Sequence, residues 1–422
     1  MTTSALRAGP LDDVRDGPHT AKLLGAIWAL LIFNTLATQG VSAVVPVPRP
    51  VTQALTMGAV GVALALALLV NPRLRIRPGA FLVLLSLLLV AAFASSVRME
   101  SGVGSLMRCA RLAMFVATLW LISPWMDGSM RFARQHIRVL TVLLVTVAVG
   151  LVISPGSAMP ELNDGRLTGV LWPLTPTQIG QYAAIAAGLA VLLWLGRLTG
   201  ARSAALVAGP AVVLLVLTHT RTAALGLGVG LAVAVLSMWL TNGRARRALA
   251  WGLAAGGVAV ALLGPFLLKW ALRGQDQENF GNLTGRAKVW DRLLDAPRTW
   301  FEEVFGTGLS NKSFDGLPID NSWLAAYHEQ GYLGVVIVVL FLLTLVVVAI
   351  SRPPSPQRAC ALFLITYCLA ASYTEAGLGD ASPYLLHLAV AAGLLAAPQR
   401  TAAVTPPGAG ATSKHSEEGV EP

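Results

Sequence analysis

The chain has 422 residues, of which 55% are hydrophobic and only 12% are charged. A soluble domain carries about 25% charged residues, so this chain has too much apolar surface for one water-exposed core. The composition excludes a soluble enzyme, a disordered protein and a fibrous protein, and it indicates a polytopic membrane protein. The net charge of +10 does not indicate nucleic-acid binding, because the basic residues form short clusters between apolar runs, as in cytoplasmic loops.

A membrane-spanning helix needs about 20 mostly apolar residues. The sequence predicts an all-α fold with about twelve such helices, and the first is predicted to be retained because no small-residue cleavage site follows it. The polar flanks 1–21 and 398–422 are predicted to be disordered cytoplasmic tails around a transmembrane domain over 22–397. The predicted spans are 22–39, 52–70, 79–97, 107–126, 138–154, 179–196, 203–218, 222–240, 248–272, 332–350, 358–374 and 383–397.

Arginines concentrate in alternate connections between these spans. Because Lys and Arg accumulate in cytoplasmic loops, the alternation predicts cytoplasmic termini and an external connection 273–331 between spans 9 and 10. The small share of Lys among the basic residues is typical of GC-rich bacterial genomes, so the membrane is predicted to be a bacterial plasma membrane. The cytoplasmic set is Arg73, Arg75, Arg77, Arg131, Arg134, Arg138, Arg197, Arg202, Arg244, Arg246, Arg247, Arg352 and Arg358, against Arg49, Arg98, Arg166 and Arg221 in the short external connections.

The long connection 273–331 has a pattern of its own. Residues 284–294 predict a short amphipathic helix that Pro297 ends, with Lys288 and Arg292 on its wet face. Its apolar face is predicted to consist of Val289, Trp290, Leu293 and Leu294. The next aromatic group is predicted to lie on the outer leaflet, and it comprises Trp300, Phe301, Val304 and Phe305.

Four arginines outside the cytoplasmic set are candidates for binding an anion. Arg221 lies in a very short connection, where it is either a snorkelling anchor or part of an anion site in a water-filled cavity. Arg286 begins the predicted loop helix, and a helix N-terminus together with a guanidinium favours anions, although a solvated arginine is the alternative. Arg108 and Arg111 lie inside span 4, where they either pair with acids such as Glu100 or Asp380 or line the same cavity as Arg221.

The segment before span 10 contains the candidate bases. Asp320-Asn321 is either a helix N-cap or a carboxylate placed to accept a proton from a hydroxyl group. His328 and Glu329 are rival bases, and His328 lies eight residues after Asp320 on a similar helical face. His387 in the last span is predicted to be a packed core residue. The run Gly226 to Gly230 is predicted to allow close helix packing, since it has neither a preceding strand nor a Walker lysine.

Four local motifs resemble those of the O-antigen ligase and polymerase family of bacterial membrane glycosyltransferases. They cover about 160–350, and their order and shared external placement make the set specific. They are Arg166-Leu-Thr-Gly169 running to Pro176; Thr220-Arg221-Thr222; Gly285-Arg286-Ala-Lys-Val-Trp290 with Phe305-Gly306-Thr-Gly308; and Asp320-Asn321-Ser-Trp-Leu324 with Glu329-Gln-Gly331-Tyr-Leu-Gly334.

The resemblance implies an enzyme that moves glycan from a polyprenyl-diphosphate donor to an acceptor hydroxyl at the outer face, with inversion and without a metal or other cofactor. It implies Arg221, Arg286 and Asp320 as catalytic residues. The acceptor would be a glycan, a lipid or a protein. Residues implied in substrate binding are Arg166, Asn321, His328 and Glu329, while Arg108 and Arg111 are second-rank candidates for the same anion because they lie inside span 4.

Ligase members often have His where this chain has Asp320. The sequence therefore leaves open whether the enzyme is a ligase or a polymerase, and which residue acts as the base.

The alternative function is a twelve-span permease or lipid-linked glycan flippase. The dominant connection of such carriers is often cytoplasmic and lies between spans 6 and 7. Here that connection is short and the long one is predicted to be external, which favours the enzyme.

Overall fold

The computed structural model describes residues 17–36, 48–98, 102–161, 164–272, 286–310 and 312–397. Within these ranges the chain is helical except for turns and a hairpin of β1 (Ser313–Phe314) and β2 (Leu317–Pro318). This confirms the all-α prediction. The helices are α1 (Pro18–Asn34), α2 (Arg49–Val70), α3 (Ala80–Arg98), α4 (Val103–Ile122), α5 (Arg131–Ile153), α6 (Pro155–Ala158), α7 (Pro176–Leu195), α8 (Ala201–Leu217), α9 (Arg221–Met238), α10 (Gly243–Leu272), α11 (Arg286–Asp295), α12 (Trp300–Phe305), α13 (Ser322–Ser351), α14 (Pro356–Ser372) and α15 (Pro383–Leu395).

Among the described residues, eight helices are long and apolar enough to cross a membrane, namely α2, α3, α4, α5, α7, α9, α10 and α13. Three shorter apolar helices lie within α1, α8 and α15. The chain is therefore a membrane-embedded helical protein, as its composition predicted. Helix α1 begins at Pro18, inside the predicted tail. The rest of both predicted tails, 1–16 and 398–422, lies outside the described residues.

The three most buried helices all begin with the same local signal, a hydroxyl residue followed by proline. The hydroxyl accepts a hydrogen bond from a first-turn N–H, while proline supplies a preset backbone angle where no N–H is needed. Thr175 caps α7, Ser355 caps α14 and Ser382 caps α15. These caps explain why the three helices start at or just before the residues at which the apolar pattern begins.

Helix α7 lies at the centre of the bundle, and 83% of its most apolar 18-residue stretch is buried. Helix α10 lies at the periphery, and none of the corresponding stretch of α10 is buried. Glycines permit the closest contact in the interior, because a Cβ at Gly226 would lie 2.7 Å from the Tyr367 ring and one at Gly230 would lie 2.9 Å from the Phe363 ring. The prediction that this glycine run allows close helix packing is confirmed.

A buried polar chain crosses the middle of the bundle. Trp28 Nε1 donates to His136 Nδ1 at 3.1 Å, His136 Nε2 lies 2.8 Å from His387 Nδ1, and His387 Nε2 lies 3.1 Å from the Gln181 amide. Indole N–H only donates, so a neutral His136 accepts at Nδ1 and donates from Nε2 to His387 Nδ1. His387 is fully buried, as the sequence predicted.

The arginine-bearing connections meet at one end of the bundle, which we name the arginine end. Arg77 donates to the Met126 carbonyl at 3.2 Å and Arg352 donates to the Leu395 carbonyl at 2.8 Å. At this end Arg244 also donates to the Trp194 carbonyl at 3.4 Å. The guanidinium groups therefore satisfy carbonyls at helix ends, which would otherwise lack hydrogen-bond partners.

Helix α13 breaks at Gly331, where φ is 63° and ψ is −164°. The break frees the carbonyls of His328 and Glu329, which accept hydrogen bonds from the Thr307 and Gly308 N–H groups at 2.9 and 3.0 Å. The two backbones approach so closely that a Cβ at Gly331 would lie 2.4 Å from the Val304 carbonyl. The glycines of both sequence motifs therefore serve one backbone contact between α13 and the segment after α12.

We expect Gly331→Ala to destabilise the protein strongly. The backbone angles at Gly331 are nearly exclusive to glycine, and strain of this kind costs on the order of 1–3 kcal/mol before the clash with Val304 is added. Gly61→Ala in α2 is the matched control, since nothing lies within 4 Å of its added Cβ. Thermal unfolding of both purified variants in detergent measures the difference, and equal melting temperatures would contradict the assigned break.

Candidate functional site

A cavity of about 710 Å³ opens at the end of the bundle opposite the arginine end. We name this the cavity end, where α1 stops and where α2, α4, α7 and α15 begin. Its charged wall residues are Arg108, Arg111, Lys312 and Asp380. Three cations and one carboxylate give the wall a net positive charge, which suits an anionic ligand.

Two of these cations, Lys312 and Arg108, lie close to the Asp380 carboxylate. Its Oδ2 lies 3.8 Å from Lys312 Nζ and 3.9 Å from an Arg108 terminal nitrogen, and its side chain is only 5% exposed. Burial alone would raise the pKa of Asp380, but the three cations and a hydrogen bond from the Ala381 N–H hold that pKa below its ordinary value. Asp380 is therefore ionised at neutral pH, and it orients the cations rather than exchanging a proton.

Arg108 and Arg111 have different partners in the structure. Arg108 pairs with Asp380, whereas Arg111 donates from Nε to Asn34 Oδ1 at 3.2 Å and from a terminal nitrogen to the Asn34 carbonyl. Both line the cavity, and among the described residues Arg221 is not part of its wall. Arg108 thus has one of the acid partners that the sequence offered, and a cavity shared with Arg221 stays a prediction. Glu100, the other acid considered, lies outside the described residues.

A second charged group surrounds the segment 373–382 that joins α14 to α15. Arg286 Nε donates to Asp320 Oδ2 at 3.0 Å. Burial raises the pKa of Asp320, against the opposing effect of Arg286. Burial raises the pKa of Glu375 to about 7, with a further increase from Asp320 and opposing effects of Arg286 and Arg166. These four residues therefore form one electrostatic group, which we name the Glu375 group.

Arg166 and Arg221 meet at the connection between α8 and α9. Arg166 donates from Nε to the Thr218 carbonyl at 3.0 Å and from a terminal nitrogen to Thr220 Oγ1 at 3.4 Å. Arg221 begins α9, and the next residue, Thr222, shares a 2.6 Å hydrogen bond with Thr374. Arg221 thus lies near the Glu375 group, because the adjacent Thr222 bonds to Thr374, the residue before Glu375. Its convergence with Arg286 on one ligand stays a prediction.

Helix α11 docks on the protein rather than standing free. Leu293 is fully buried with Ile319 and Ala325, and the Trp290 ring packs edge-on against Tyr373 at 5.4 Å. This contact fixes the start of α11 and hence Arg286. Leu294 is 59% exposed, so it does not take part in the contact that buries the other three residues of the predicted face. Helical geometry explains the difference, because Val289, Trp290 and Leu293 already fill the stripe that faces the bundle.

The aromatic residues of α12 form a partly exposed cluster. Phe301 stacks on Phe305 at 4.7 Å, and Trp300 is 72% exposed. Thr299 and Glu302 close the start of this helix with a capping box. An exposed aromatic group is what the predicted belt on the outer leaflet requires, and the contact with lipid stays a prediction.

Three other predicted site residues hold the local structure. Asn321 caps α13 by accepting from the Trp323 and Leu324 N–H groups at 2.9 and 3.1 Å. Glu329 is 1% exposed, and its Oε1 accepts from the Ser310 N–H, the Ser310 hydroxyl and the Lys312 N–H. His328 contacts Arg298 through Nδ1 at 3.2 Å. Asn321 rather than Asp320 is thus the cap, and Glu329 fixes the segment that carries Lys312.

Sequence reasoning missed Lys312 and Glu375 as site residues and considered Asp380 only as an ion-pair partner. Two acids in the short connection between the last two predicted spans were a usable signal, since ionisable groups at membrane depth are rarely idle. Nothing in the local pattern around Lys312 distinguishes it from other loop lysines. Its place depends on contacts with residues far away in sequence.

No protein-family model matches the chain, and no curated protein matches it. Among the described residues, no three His, Cys, Asp or Glu side chains converge as a set of metal ligands.

Titration of Glu375 should make anion binding depend on pH. Its pKa of about 7 leaves the carboxyl neutral at pH 6, whereas at pH 8 it adds a negative charge beside Arg286 and Arg166. The next residue, Ala376, lines the cavity. We expect sulfate, which keeps the same charge over this range, to bind more weakly as the pH rises from 6 to 8, and calorimetric titration measures this. Glu375→Gln should flatten this change, and the exposed control Glu303→Gln should retain it.

The same shift links Glu375 to stability. The folded protein binds this proton more tightly than an unfolded chain with the ordinary value of 4.5. The contribution of Glu375 to stability is therefore present at low pH and is lost as the pH rises through about 7. In the binding experiment described above, the same pH dependence in Glu375→Gln and in the wild type would contradict the assignment of a pKa of about 7 to Glu375.

Proposed function

We propose that the protein is a membrane glycosyltransferase of the O-antigen ligase or polymerase type. It transfers glycan from a polyprenyl-diphosphate donor to an acceptor hydroxyl at the outer face of a bacterial plasma membrane. Twelve spans, with both termini in the cytoplasm, place the cavity end outside. The observation that carries the proposal is the net-positive cavity beside the Glu375 group, at the end where all four motifs meet.

The cavity has the charge and the position that a lipid diphosphate requires. Each phosphate of a glycan-linked diphosphate carries a negative charge, and Arg108, Arg111 and Lys312 outnumber Asp380 in the wall. Forked guanidinium groups bind phosphate oxygens in pairs. Two exposed apolar residues of the wall, Met107 and Ala54, offer a route for a polyprenyl chain toward the bilayer.

The reaction is an in-line displacement at the anomeric carbon of the donor sugar. The acceptor oxygen forms the new bond to that carbon as the bond to the diphosphate oxygen breaks, so the configuration inverts. The electron pair of the broken bond stays on the diphosphate, which gains one negative charge. Guanidinium groups stabilise that charge. Besides the cations of the cavity wall, Arg286, Arg221 and Arg166 supply positive charge nearby. We propose that the reaction needs no divalent metal, because these cations neutralise the leaving group.

A carboxylate accepts the proton of the acceptor hydroxyl. Asp320 remains the first candidate because it stands where related ligases carry His and because burial raises its pKa. Glu375 is the rival, since a base works best when its pKa is near the operating pH, and its pKa is about 7. Glu329 is a weaker candidate than Asp320 or Glu375, since its Oε1 already accepts hydrogen bonds from three donors.

The proposed topology has its own test. Lys288 is exposed on α11 and Arg247 is exposed at the arginine end, while all three cysteines are buried. A membrane-impermeant thiol reagent applied to intact cells should label Lys288→Cys and spare Arg247→Cys. The reverse pattern would invert the topology and remove the proposed outer-face reaction.

Substitutions in the site should abolish transfer without loss of protein. Arg286→Lys keeps the charge but loses the forked contact, so we expect glycan transfer to fall on the order of 10²–10³-fold, as on removal of one transition-state donor. Asp320→Asn leaves the Asn321 cap intact, and loss of a base costs on the order of 10²–10⁴-fold. The matched control is Lys288→Gln, on the exposed face of the same helix as Arg286.

The measurement is mass spectrometry of surface glycan and lipid-linked glycan in a deletion strain carrying each variant at matched expression. The proposed enzyme predicts that lipid-diphosphate glycan accumulates in the outer leaflet in the Arg286→Lys strain. Accumulation confined to the inner leaflet would instead identify a flippase. Wild-type transfer by both Arg286→Lys and Asp320→Asn would rule out the proposed site.

A further inference from the structure

Two arginines at the arginine end stand apart from the carbonyl-binding arginines described above. Arg134 and Arg138 lie one turn apart on the same face of α5, and both are exposed. Among the described residues, no acidic side chain forms an ion pair with either of them. Two neighbouring cations without an acid repel each other unless an anion lies between them, so this face is suited to an anionic ligand.

Both arginines line two clefts that flank the start of α5. One cleft, of about 360 Å³, lies between α5 and the start of α1. The other, of about 540 Å³, lies between α5, the end of α7 and the start of α8. No Asp or Glu lines either cleft. The positive charge of the two arginines is therefore shared by both clefts and is not neutralised by their walls.

The wall of the larger cleft changes from polar to apolar along the helices. Thr199 and Ser203 lie with the arginines at the arginine end, whereas Val142 and Val207 lie deeper. Val142 is eight residues beyond Arg134, which corresponds to a helix rise of about 12 Å. Val142 is also 63% exposed, so the cleft opens sideways on the surface of the bundle rather than into water above it.

We propose that this larger cleft binds an anionic glycerophospholipid of the leaflet at the arginine end. The lipid phosphate lies between Arg134 and Arg138, the headgroup hydroxyls reach Thr199 and Ser203, and one acyl chain follows the apolar wall past Val142. Basic pockets between membrane helices bind anionic headgroups by the same charge pairing. This site is separate from the proposed glycosyl-transfer site, which lies at the cavity end, and it does not depend on that proposal.

Native mass spectrometry of the full-length protein in detergent tests the site, with phosphatidylglycerol and phosphatidylcholine of the same acyl chains as probes. We expect one phosphatidylglycerol to bind at least about tenfold more tightly than phosphatidylcholine, since each basic residue near the surface contributes about a fivefold gain. The double variant Arg134→Gln/Arg138→Gln should lose this preference. The matched control is Arg246→Gln/Arg247→Gln, at the same end but outside both clefts, and it should retain the preference.

A second variant separates a cleft from simple surface charge. Val142→Trp keeps both arginines but fills the apolar wall, and the high exposure of Val142 lets the fold accept the larger ring. This variant should also lose bound phosphatidylglycerol while keeping the wild-type melting temperature. Wild-type lipid binding by the arginine double variant would overturn the proposal. Equal binding of the two lipids, or equal binding of phosphatidylglycerol and its free glycerophosphoglycerol headgroup, would overturn it as well.

Discussion

The first three turns of α13 hold the cavity end together through hydrogen bonds to two non-helical segments. Gln330 donates to the Gly379 carbonyl at 2.6 Å, and the Ser322 hydroxyl both donates to the Glu375 carbonyl and accepts from the Gly377 N–H. On its other side, Glu329 accepts from the segment around Lys312. Irregular backbone at membrane depth must find its partners inside the protein, and these side chains supply them.

The positions of the charged groups follow from that constraint. Lys312 and Asp380 lie far apart in sequence, and they meet because α13 ties both of their segments to one helix. The break at Gly331 contributes directly, since it exposes two carbonyls that bind the backbone after α12. The cavity with its cations and the Glu375 group therefore both adjoin the segment 373–382, which carries Asp380 and Glu375. In the proposed reaction the cavity holds the charged leaving group and the Glu375 group accepts the proton.

Much of this fold could be predicted from the sequence because long apolar runs and alternating arginines are strong local signals. Among the described residues each predicted span overlaps one helix, and the earlier starts of α7 and α14 reflect the capping residues Thr175 and Ser355. That all twelve cross the membrane stays a prediction. The docked face of α11 was predicted apart from Leu294, whose exposure depends on where the partner surface ends. Arg286 and Asp320 were both predicted as site residues, but their ion pair is a tertiary contact that no spacing rule gives.

The rest of the site could not be predicted, since it rests on contacts between distant segments. Glu329 illustrates the limit, because its place in a motif suggested a base while its three donors identify a structural anchor. Arg108 is a second example: the sequence left open whether it pairs with an acid such as Asp380 or lines a cavity, and in the folded chain it does both. Burial and partner identity, which decide between such roles, are properties of the folded chain alone.

The most direct measurement is a cryo-electron microscopy structure of the protein with a non-hydrolysable polyprenyl-diphosphate glycan analogue. The proposed reaction predicts density for both phosphates within hydrogen-bond distance of Arg108, Arg111 or Lys312, with the sugar directed toward the Glu375 group. A diphosphate bound at the arginine end, or held by lipid-facing residues away from the cavity, would contradict the assignment of this cavity as the donor site.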